Sequence, residues 1–301
     1  MSNTFKAHLA LFGANLIYGI NYTAAKEVMP DFIMPFGFIL CRVIGATLFF
    51  WLIHSAISNE KVERRDFILL FVCGFFGVAL NQLSFFKGLN ITTPINASII
   101  MTATPILVLI ASSLLIKERI TWIKTIGIVI GLIGAVSLLL FKGNTIQQLE
   151  FGSDTIKGDL FILLNASSYG VYLVIVKPLM KKYHPVTVVK WVFLFGLMFV
   201  IPFGWEEVQQ ISWSNFTVKI WGCFGFVVIA TTCFAYLFNI YALKNVSPSV
   251  VSSYIYLQPV IASLIALLAE KDSLTWIKGL ATLLIFVGVY LVSQRPKKLT
   301  A

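Results

Sequence analysis

Charged side chains are scarce in this sequence. Of its 301 residues, 12% are Asp, Glu, Lys or Arg, whereas 58% are hydrophobic. A soluble domain usually carries about 25% charged residues, and those present here are too few to cover the surface of a chain of this length. This deficit excludes an ordinary water-soluble protein and predicts that lipid surrounds most of the chain.

The signatures of metal sites, disulfide frameworks and hydrolytic enzymes are also missing. The four cysteines fall inside apolar runs without the spacing of a zinc site or a disulfide framework. No H-E-x-x-H, no G-x-S-x-G and no paired intramembrane aspartate is present. We therefore expect no metal, no cofactor and no enzymatic activity.

The positively charged residues are not arranged as in a nucleic-acid-binding protein. The formal net charge is +10, but Lys and Arg occur in short clusters between apolar runs and form no basic stripe along one element, which argues against nucleic-acid binding. Such clusters mark the cytoplasmic loops of membrane proteins. Most of them lie on the side of the N-terminus, which predicts a multi-pass protein of the cytoplasmic membrane with both termini in the cytoplasm.

Apolar runs long enough to cross a bilayer recur along the whole chain. A helix needs roughly 20 mainly apolar residues to span the hydrocarbon core. The first run lacks a small-residue cleavage motif, so we expect it to be retained as a span. The predicted spans are 7–26, 34–53, 67–86, 95–116, 123–141, 158–177, 187–204, 220–242, 249–269 and 276–293. They predict an all-α integral membrane protein with ten transmembrane helices.

The two halves of the chain match each other without gaps at an offset of 154 residues. Pro105 pairs with Pro259, and the run Thr-Trp-Ile-Lys at 121–124 reappears at 275–278. Five spans in each half place the second copy in the opposite orientation, which predicts inverted repeats, a recurrent architecture of transporters. An ancient duplication kept only for packing is the alternative.

The domain boundaries follow from this offset. The first five-helix repeat is predicted at 1–142 and the second, inverted repeat at 158–295, with a linker at 143–157. Connections between the spans are short, so we expect no separate soluble domain.

Several motifs carry a family resemblance. They are 18–22 (Tyr-Gly-Ile-Asn-Tyr) followed by Lys26, Arg42 in the second span, 103–105 (Ala-Thr-Pro), and 117–121 (Lys-Glu-Arg-Ile-Thr). In these the chain resembles the EamA-type members of the drug/metabolite transporter superfamily. The resemblance implies transport of amino acids or other small metabolites, often outward.

Uncharged polar and aromatic residues recur on one face of several spans. At spacings of three and four residues such side chains share a helical face, and faces that converge would form a polar cavity; helix-to-helix hydrogen bonding is the alternative. The predicted substrate-binding residues are Asn15, Tyr18, Asn21, Tyr22, Arg42, Asn81, Gln82, Phe85, Asn96, Ser98, Thr102, Asn165, Tyr169, Tyr172, Tyr236, Asn239, Tyr254, Tyr256 and Gln258.

Arg42 is the one charged residue predicted near the middle of a span. A central arginine costs about 2.5–3.5 kcal/mol on insertion scales. It therefore needs carbonyls, hydroxyls, water or an anionic group of a substrate as partners. A structural role and a direct contact with substrate both remain open.

Two prolines and three carboxylates are candidates for moving parts. Pro105 and Pro259 remove a backbone hydrogen bond and predict kinks or hinges, although a static kink fits equally. Glu118, Glu270 and Asp272 are candidate gate residues near helix ends. Asp272 stands where the resembled family commonly has Glu, and a solvated loop cluster is the favoured interpretation of these acids.

Together these features predict a secondary transporter that moves a small metabolite by alternating access around a cavity between the repeats. Export is what the family resemblance implies. The expected partners are a small-molecule substrate and the lipid bilayer, and the sequence leaves the oligomeric state open. A facilitative channel, or a membrane-embedded enzyme, is the alternative.

Overall fold

The computed structural model describes residues 2–57, 60–92, 94–142, 145–146, 153–268 and 275–294. Almost all of them are helical, as the sequence predicts. Two strands of two residues, β1 (Phe141–Lys142) and β2 (Thr145–Ile146), pair antiparallel between the halves of the chain.

The α-helices follow one another with short connections. They are α1 (Asn3–Val28), α2 (Pro35–Ile57), α3 (Asp66–Gly74), α4 (Asn81–Ile91), α5 (Pro94–Met101), α6 (Thr104–Ile116), α7 (Trp122–Leu140), α8 (Ser153–Ile175), α9 (Lys177–Lys182), α10 (Pro185–Gln209), α11 (Val218–Gly225), α12 (Ala235–Asn245), α13 (Pro248–Ser253), α14 (Leu257–Leu268) and α15 (Trp276–Ser293).

Among the described residues, eight helical segments are long and apolar enough to cross a membrane. They are Pro35–Ile57, Asp66–Ile91, Asn96–Ile116, Trp122–Leu140, Thr155–Lys182, Pro185–Gln209, Val218–Asn245 and Trp276–Ser293. The chain is therefore a multi-pass, all-α membrane protein. Two of the ten predicted spans fall outside this set: 7–26, which lies on α1, and 249–269, which is described only in part.

Two helical segments are interrupted at the predicted prolines. A turn at 102–103 separates α5 from α6, whose first turn contains Pro105. The 3₁₀ turn Tyr254–Tyr256 separates α13 from α14, just before Pro259. Proline cannot donate the hydrogen bond of a continuous helix, so both helices break where the sequence predicts a kink.

Two π-helical segments were not predicted. Phe75–Leu80 joins α3 to α4, and Phe226–Phe234 joins α11 to α12. A π-helix holds an extra residue in each turn and is frequent at functional sites. Each segment therefore changes the direction of the residues that follow it.

Helices α7 and α15 pack against each other through small residues. A Cβ atom built on Gly288 would lie 2.6 Å from the carbonyl oxygen of Gly127, and one on Gly134 would lie 2.6 Å from that of Ala281. Residue numbers rise along one helix as they fall along the other, so the two helices run antiparallel. Glycine is needed here because the backbones approach more closely than any side chain allows.

The first helix of the second half begins a few residues before the predicted span 158–177. Helix α8 begins at Ser153, inside the predicted linker 143–157. Its first turn contains Asp154, and Asp159 follows before the apolar stretch. The prediction was based on apolar residues alone, so it did not include this polar first turn in the helix.

Candidate functional site

A polar cavity of about 100 Å³ lies at the centre of the helical bundle. Helices from both halves of the chain build it: α1, α2, α4, α8, α12, the second π-helical segment and the two interrupted helices. Its lining consists of Asn15, Tyr18, Asn21, Tyr22, Arg42, Asn81, Gln82, Phe85, Phe86, Met101, Asn165, Tyr169, Thr231, Tyr236, Asn239, Val251, Ile255 and Gln258.

Most of the predicted binding residues come together in this cavity. They include every candidate on α1, α2, α4 and α12, together with Asn165, Tyr169 and Gln258. Their role in binding stays a prediction. The lining also contains residues that were not predicted: Phe86, Met101, Thr231, Val251 and Ile255. Most of these are apolar side chains, which nothing distinguishes from packing residues in an apolar sequence.

Three predicted tyrosines point elsewhere. The hydroxyl of Tyr254 lies 2.7 Å from Nδ1 of His8. Tyr256 is fully buried and packs against the backbone of Gly131. Tyr172 packs on the first π-helical segment and not on the cavity. Tyr172 and Tyr256 thus occupy space that glycines leave open on neighbouring helices, and the structure places all three rings outside the cavity lining.

Three polar candidates on or next to α5 also lie outside the cavity. Asn96 donates to a carboxylate oxygen of Asp159 at 3.3 Å, and Thr92 donates to its other oxygen at 2.5 Å. The Thr102 hydroxyl donates to a carbonyl of the preceding turn. Ser98 lies half-buried on the same helix. Helix α5 reaches the cavity at its last residue, Met101, whereas Asn96 lies more than one turn earlier and contacts α8 instead.

Arg42 is buried and reaches the cavity from α2. Its Nε donates to the hydroxyl of Thr232 at 2.9 Å, and its guanidinium carbon lies 4.5 Å from the centre of the Phe86 ring. Nη1 has no protein partner in the described part of the chain. No Asp or Glu is present among the described residues that line the cavity. The cavity therefore holds one fixed positive charge that no carboxylate of its lining neutralises.

Tyr236 is the centre of a hydrogen-bond network on one wall of the cavity. Its hydroxyl accepts from Nε2 of Gln82 at 3.2 Å and donates to the carbonyl oxygen of Gly77 at 3.0 Å. The same hydroxyl lies 3.4 Å from Oδ1 of Asn81. Asn81 and Asn165 each donate from the side-chain amide to the other's carbonyl oxygen. These bonds join α4, α8 and α12 around the cavity.

The opposite wall is built on α1. Nδ2 of Asn239 donates to the Tyr18 hydroxyl at 3.1 Å, and Nε2 of Gln258 donates to Oδ1 of Asn15 at 3.0 Å. The first bond joins α1 to α12 and the second joins α1 to α14. Helix α1 is thus held to the second half of the chain by uncharged hydrogen bonds, each typically worth about 0.5–1.5 kcal/mol.

A wider vestibule adjoins the cavity at the C-terminal end of α1. It measures about 580 Å³ and shares Tyr22 with the central cavity. Its rim is charged, with Lys26, Asp31 and an ion pair of 2.5 Å between Lys219 and Glu27. Tyr22 therefore lies between the vestibule and the central cavity.

The other end of α1 is closed. The contact between His8 and Tyr254 lies beneath the cavity on that side. Lys177 donates from Nζ to the carbonyl oxygens of Leu243 and Val246, the second at 2.6 Å, and so caps the end of α12. The first contact joins α1 to the turn before α14, and the second joins α9 to the end of α12.

Glu118 takes part in the closure of the same end. Its carboxylate accepts from Nζ of Lys124 at 2.5 Å and from the hydroxyl of Ser249 at 3.0 Å. Only 11% of the Glu118 side chain and 7% of the Lys124 side chain are exposed. The interpretation of Glu118 as part of a solvated loop cluster was therefore wrong. The other two gate candidates, Glu270 and Asp272, lie outside the described residues.

A further cluster on this face is exposed to water. Lys182 contacts Glu63 at 2.7 Å and Asp66 at 2.6 Å, so it ties α9 to the first residue of α3 and to the segment before it. The hydrogen bond from Lys182 lowers the pKa of Glu63 below its ordinary value. Exposed pairs of this kind contribute little to stability.

Known proteins resemble this chain over nearly all of its length. An uncharacterized transporter of Archaeoglobus fulgidus is 27% identical, over 92% of this chain and 95% of its own. The uncharacterized transporter YyaM of Bacillus subtilis is 24% identical, over 95% and 93%. A WAT1-related protein of Arabidopsis thaliana is 26% identical, over 95% and 85%.

Comparison with solved structures supports the fold. One crystal structure superposes with a TM-score of 0.76 at 18% identity, covering 95% of this chain and 96% of its own. The model of the EamA-like transporter family matches this chain twice, over residues 5–140 and 156–294. The chain belongs to the EamA-like transporter family.

Proposed function

We propose that this protein is a secondary transporter that exports a small metabolite across the cytoplasmic membrane by alternating access. Membership of a transporter family supports the general function. A central polar cavity that adjoins a vestibule on one side and is closed on the other supports the mechanism, because alternating access requires such one-sided states. A cavity of about 100 Å³ suits a small solute.

The environment of Arg42 is the observation that favours a substrate with a carboxylate group. A buried cation without a neutralising carboxylate is costly in a membrane, and Nη1 of this arginine lacks a protein partner. A carboxylate on the substrate would bind the guanidinium by charge-assisted hydrogen bonds. The amide and hydroxyl groups around it suit the remaining polar atoms of an amino-acid-like molecule.

Contacts between α7 and α15 support ten spans arranged as inverted repeats. Adding the sequence offset of 154 to Gly127 and Gly134 gives Ala281 and Gly288. In the contact between Gly127 and Gly288, replacing each residue by its counterpart in the other half gives Ala281 and Gly134. These two residues are also in close contact. A two-fold axis relating the halves produces such exchanged pairs. Because the equivalent helices run antiparallel, the second half has the opposite orientation.

Two further features support this arrangement. Adding the same offset to 75–80 gives 229–234, which lies inside the second π-helical segment. The family model also matches each half separately. With ten spans, both termini lie on one side, and the lysine and arginine clusters support a cytoplasmic location for that side. The closed end of the cavity is then cytoplasmic.

The direct test is a comparison of exported metabolites. Cells that overexpress the chain are compared with empty-vector cells and with cells that express Arg42→Gln at the same level. We expect one or a few carboxylated metabolites to accumulate outside only with the wild-type chain. Identical profiles in all three strains, across growth conditions, would remove the basis for an exporter.

A further inference from the structure

A second large groove lies on the outer surface of the bundle, away from the central cavity. It measures about 750 Å³ and is bounded by α1, α12 and the first residues of α10. Leu9 and Phe12 of α1 are exposed along it. This surface faces lipid in a membrane-spanning bundle, so the groove is open to hydrocarbon and not to water.

The groove has a basic end and an apolar end. Lys6 on α1 and Lys244 on α12 lie at one end, and Gly13 and Phe238 lie at the other, where a Cβ on Gly13 would be 3.5 Å from the Phe238 ring. Seven residues separate Lys6 from Gly13, which is about 10 Å along a helix. The separation suits a charged headgroup at one end and the first part of an acyl chain at the other.

The basic end is not neutralised by the protein. Lys6 and Lys244 are exposed, and neither forms an ion pair with a described residue. The exposed imidazole of His184 lies at the same end. Its backbone N donates to Glu60 at 2.9 Å, but no carboxylate is found among the described residues that line the groove. Two lysines therefore remain available to an anion.

We propose that this groove is a binding site for an anionic phospholipid. The phosphate contacts Lys6 and Lys244, and one acyl chain lies along Leu9, Phe12 and Phe238. Basic clusters at the ends of transmembrane helices attract anionic lipids. A zwitterionic lipid has the same acyl chains but also carries a positively charged ammonium, which the lysines repel. We therefore expect the groove to bind anionic lipids more tightly than zwitterionic ones.

The position of the groove gives the lipid a structural consequence. It lies on one side of α1, and Asn15 and Tyr18 of the same helix line the central cavity. A bound lipid fills the space between α1 and α12 at the end where the bundle is closed. It therefore stabilises the contact between these helices in the closed arrangement.

Native mass spectrometry of the purified protein tests this proposal. The protein is mixed with equal amounts of phosphatidylglycerol and phosphatidylcholine of matched chain length. We expect wild-type protein to retain phosphatidylglycerol at least about fivefold more than phosphatidylcholine, since each lysine near the surface contributes roughly that factor. Equal retention of the two lipids would overturn the proposal.

Variants locate the site and identify the source of the phosphate. Lys6→Gln with Lys244→Gln is expected to abolish the preference, whereas the matched pair Lys61→Gln with Lys181→Gln, also exposed lysines, leaves it unchanged. Gly13→Leu fills the apolar end and is expected to reduce lipid retention at constant charge. Full competition by millimolar glycerol phosphate, or unchanged preference in the Lys6 and Lys244 variant, would contradict a lipid site in this groove.

Discussion

Gln82 and Tyr236 stand 154 residues apart in the chain and form a hydrogen bond of 3.2 Å at the centre of the bundle. The same number is the offset at which the two halves of the sequence match. Each residue is therefore the counterpart of the other in the opposite half. Two equivalent positions can touch only where the axis that relates them passes nearby, so the proposed two-fold axis runs through the wall of the central cavity.

Removal of the Tyr236 hydroxyl is expected to weaken this centre. Tyr236→Phe keeps the ring but leaves the Gln82 amide and the Gly77 carbonyl without their shared partner. A buried polar group that loses its partner costs about 1–3 kcal/mol. The midpoint of unfolding in an SDS titration measures the loss. Tyr290→Phe is the control, because that ring is 66% exposed. Equal midpoints for the two variants would contradict this prediction.

Close packing of α7 and α15 gives a second prediction. Gly288→Leu forces a side chain into the backbone of Gly127 and Gly131, and overpacking of this kind typically costs about 1–3 kcal/mol. We expect a lower thermal midpoint and less folded protein in detergent. Gly279→Ala on the same helix is the control, because its Cβ meets nothing within 4 Å. A Gly288→Leu protein as stable as this control would show that the two helices are not in close contact.

The Glu118 ion pair is expected to stabilise the closed end. Glu118→Gln leaves Lys124 buried without its counter-charge, and breaking a buried pair costs about 3–5 kcal/mol. The control is Glu63→Gln, whose ion pair with Lys182 is exposed and worth about 0–1 kcal/mol. Thermal unfolding in detergent compares the two. If Lys124→Met then restores much of the stability to Glu118→Gln, the loss arises from the unpaired charge; a similar small loss in both single variants would mean that Glu118 is solvated.

Labelling from outside the cell checks the proposed orientation. In a chain whose native cysteines are replaced by alanine or serine, Asp31→Cys lies at the vestibule and Lys6→Cys at the opposite end of α1. We expect a membrane-impermeant maleimide to label Asp31→Cys in intact cells and Lys6→Cys only after permeabilisation. The reverse pattern would place the N-terminus outside.

The cavity was predicted best where helices are continuous. On α1 and on α4, side chains three and four residues apart share a face, so Asn15, Tyr18, Gln82 and Phe85 converge as expected. Three of the six predicted residues that lie outside the cavity lining fall in the breaks at 102–103 and 254–256: Thr102, Tyr254 and Tyr256. A break changes the direction of the following side chains, so the regular spacing of a continuous helix no longer predicts which residues share a face.

Other features had no signal in the sequence. Prolines marked the breaks, but nothing marked the two π-helical segments, and Thr231 of the second one was missed as a lining residue. The partner of Arg42, the hydroxyl of Thr232, comes from a segment distant in the chain. Burial of Glu118 likewise depends on Ser249 and Lys124, which only the packed structure brings to it.

Flux into proteoliposomes tests the central claim most directly. Purified wild-type protein is reconstituted, and uptake of the metabolite found in the export comparison is followed over a range of concentrations. We predict saturable uptake that unlabelled substrate inhibits, that Arg42→Gln abolishes and that Arg42→Lys partly retains. Uptake that rises linearly with concentration and is unchanged by Arg42→Gln would contradict transport through this cavity.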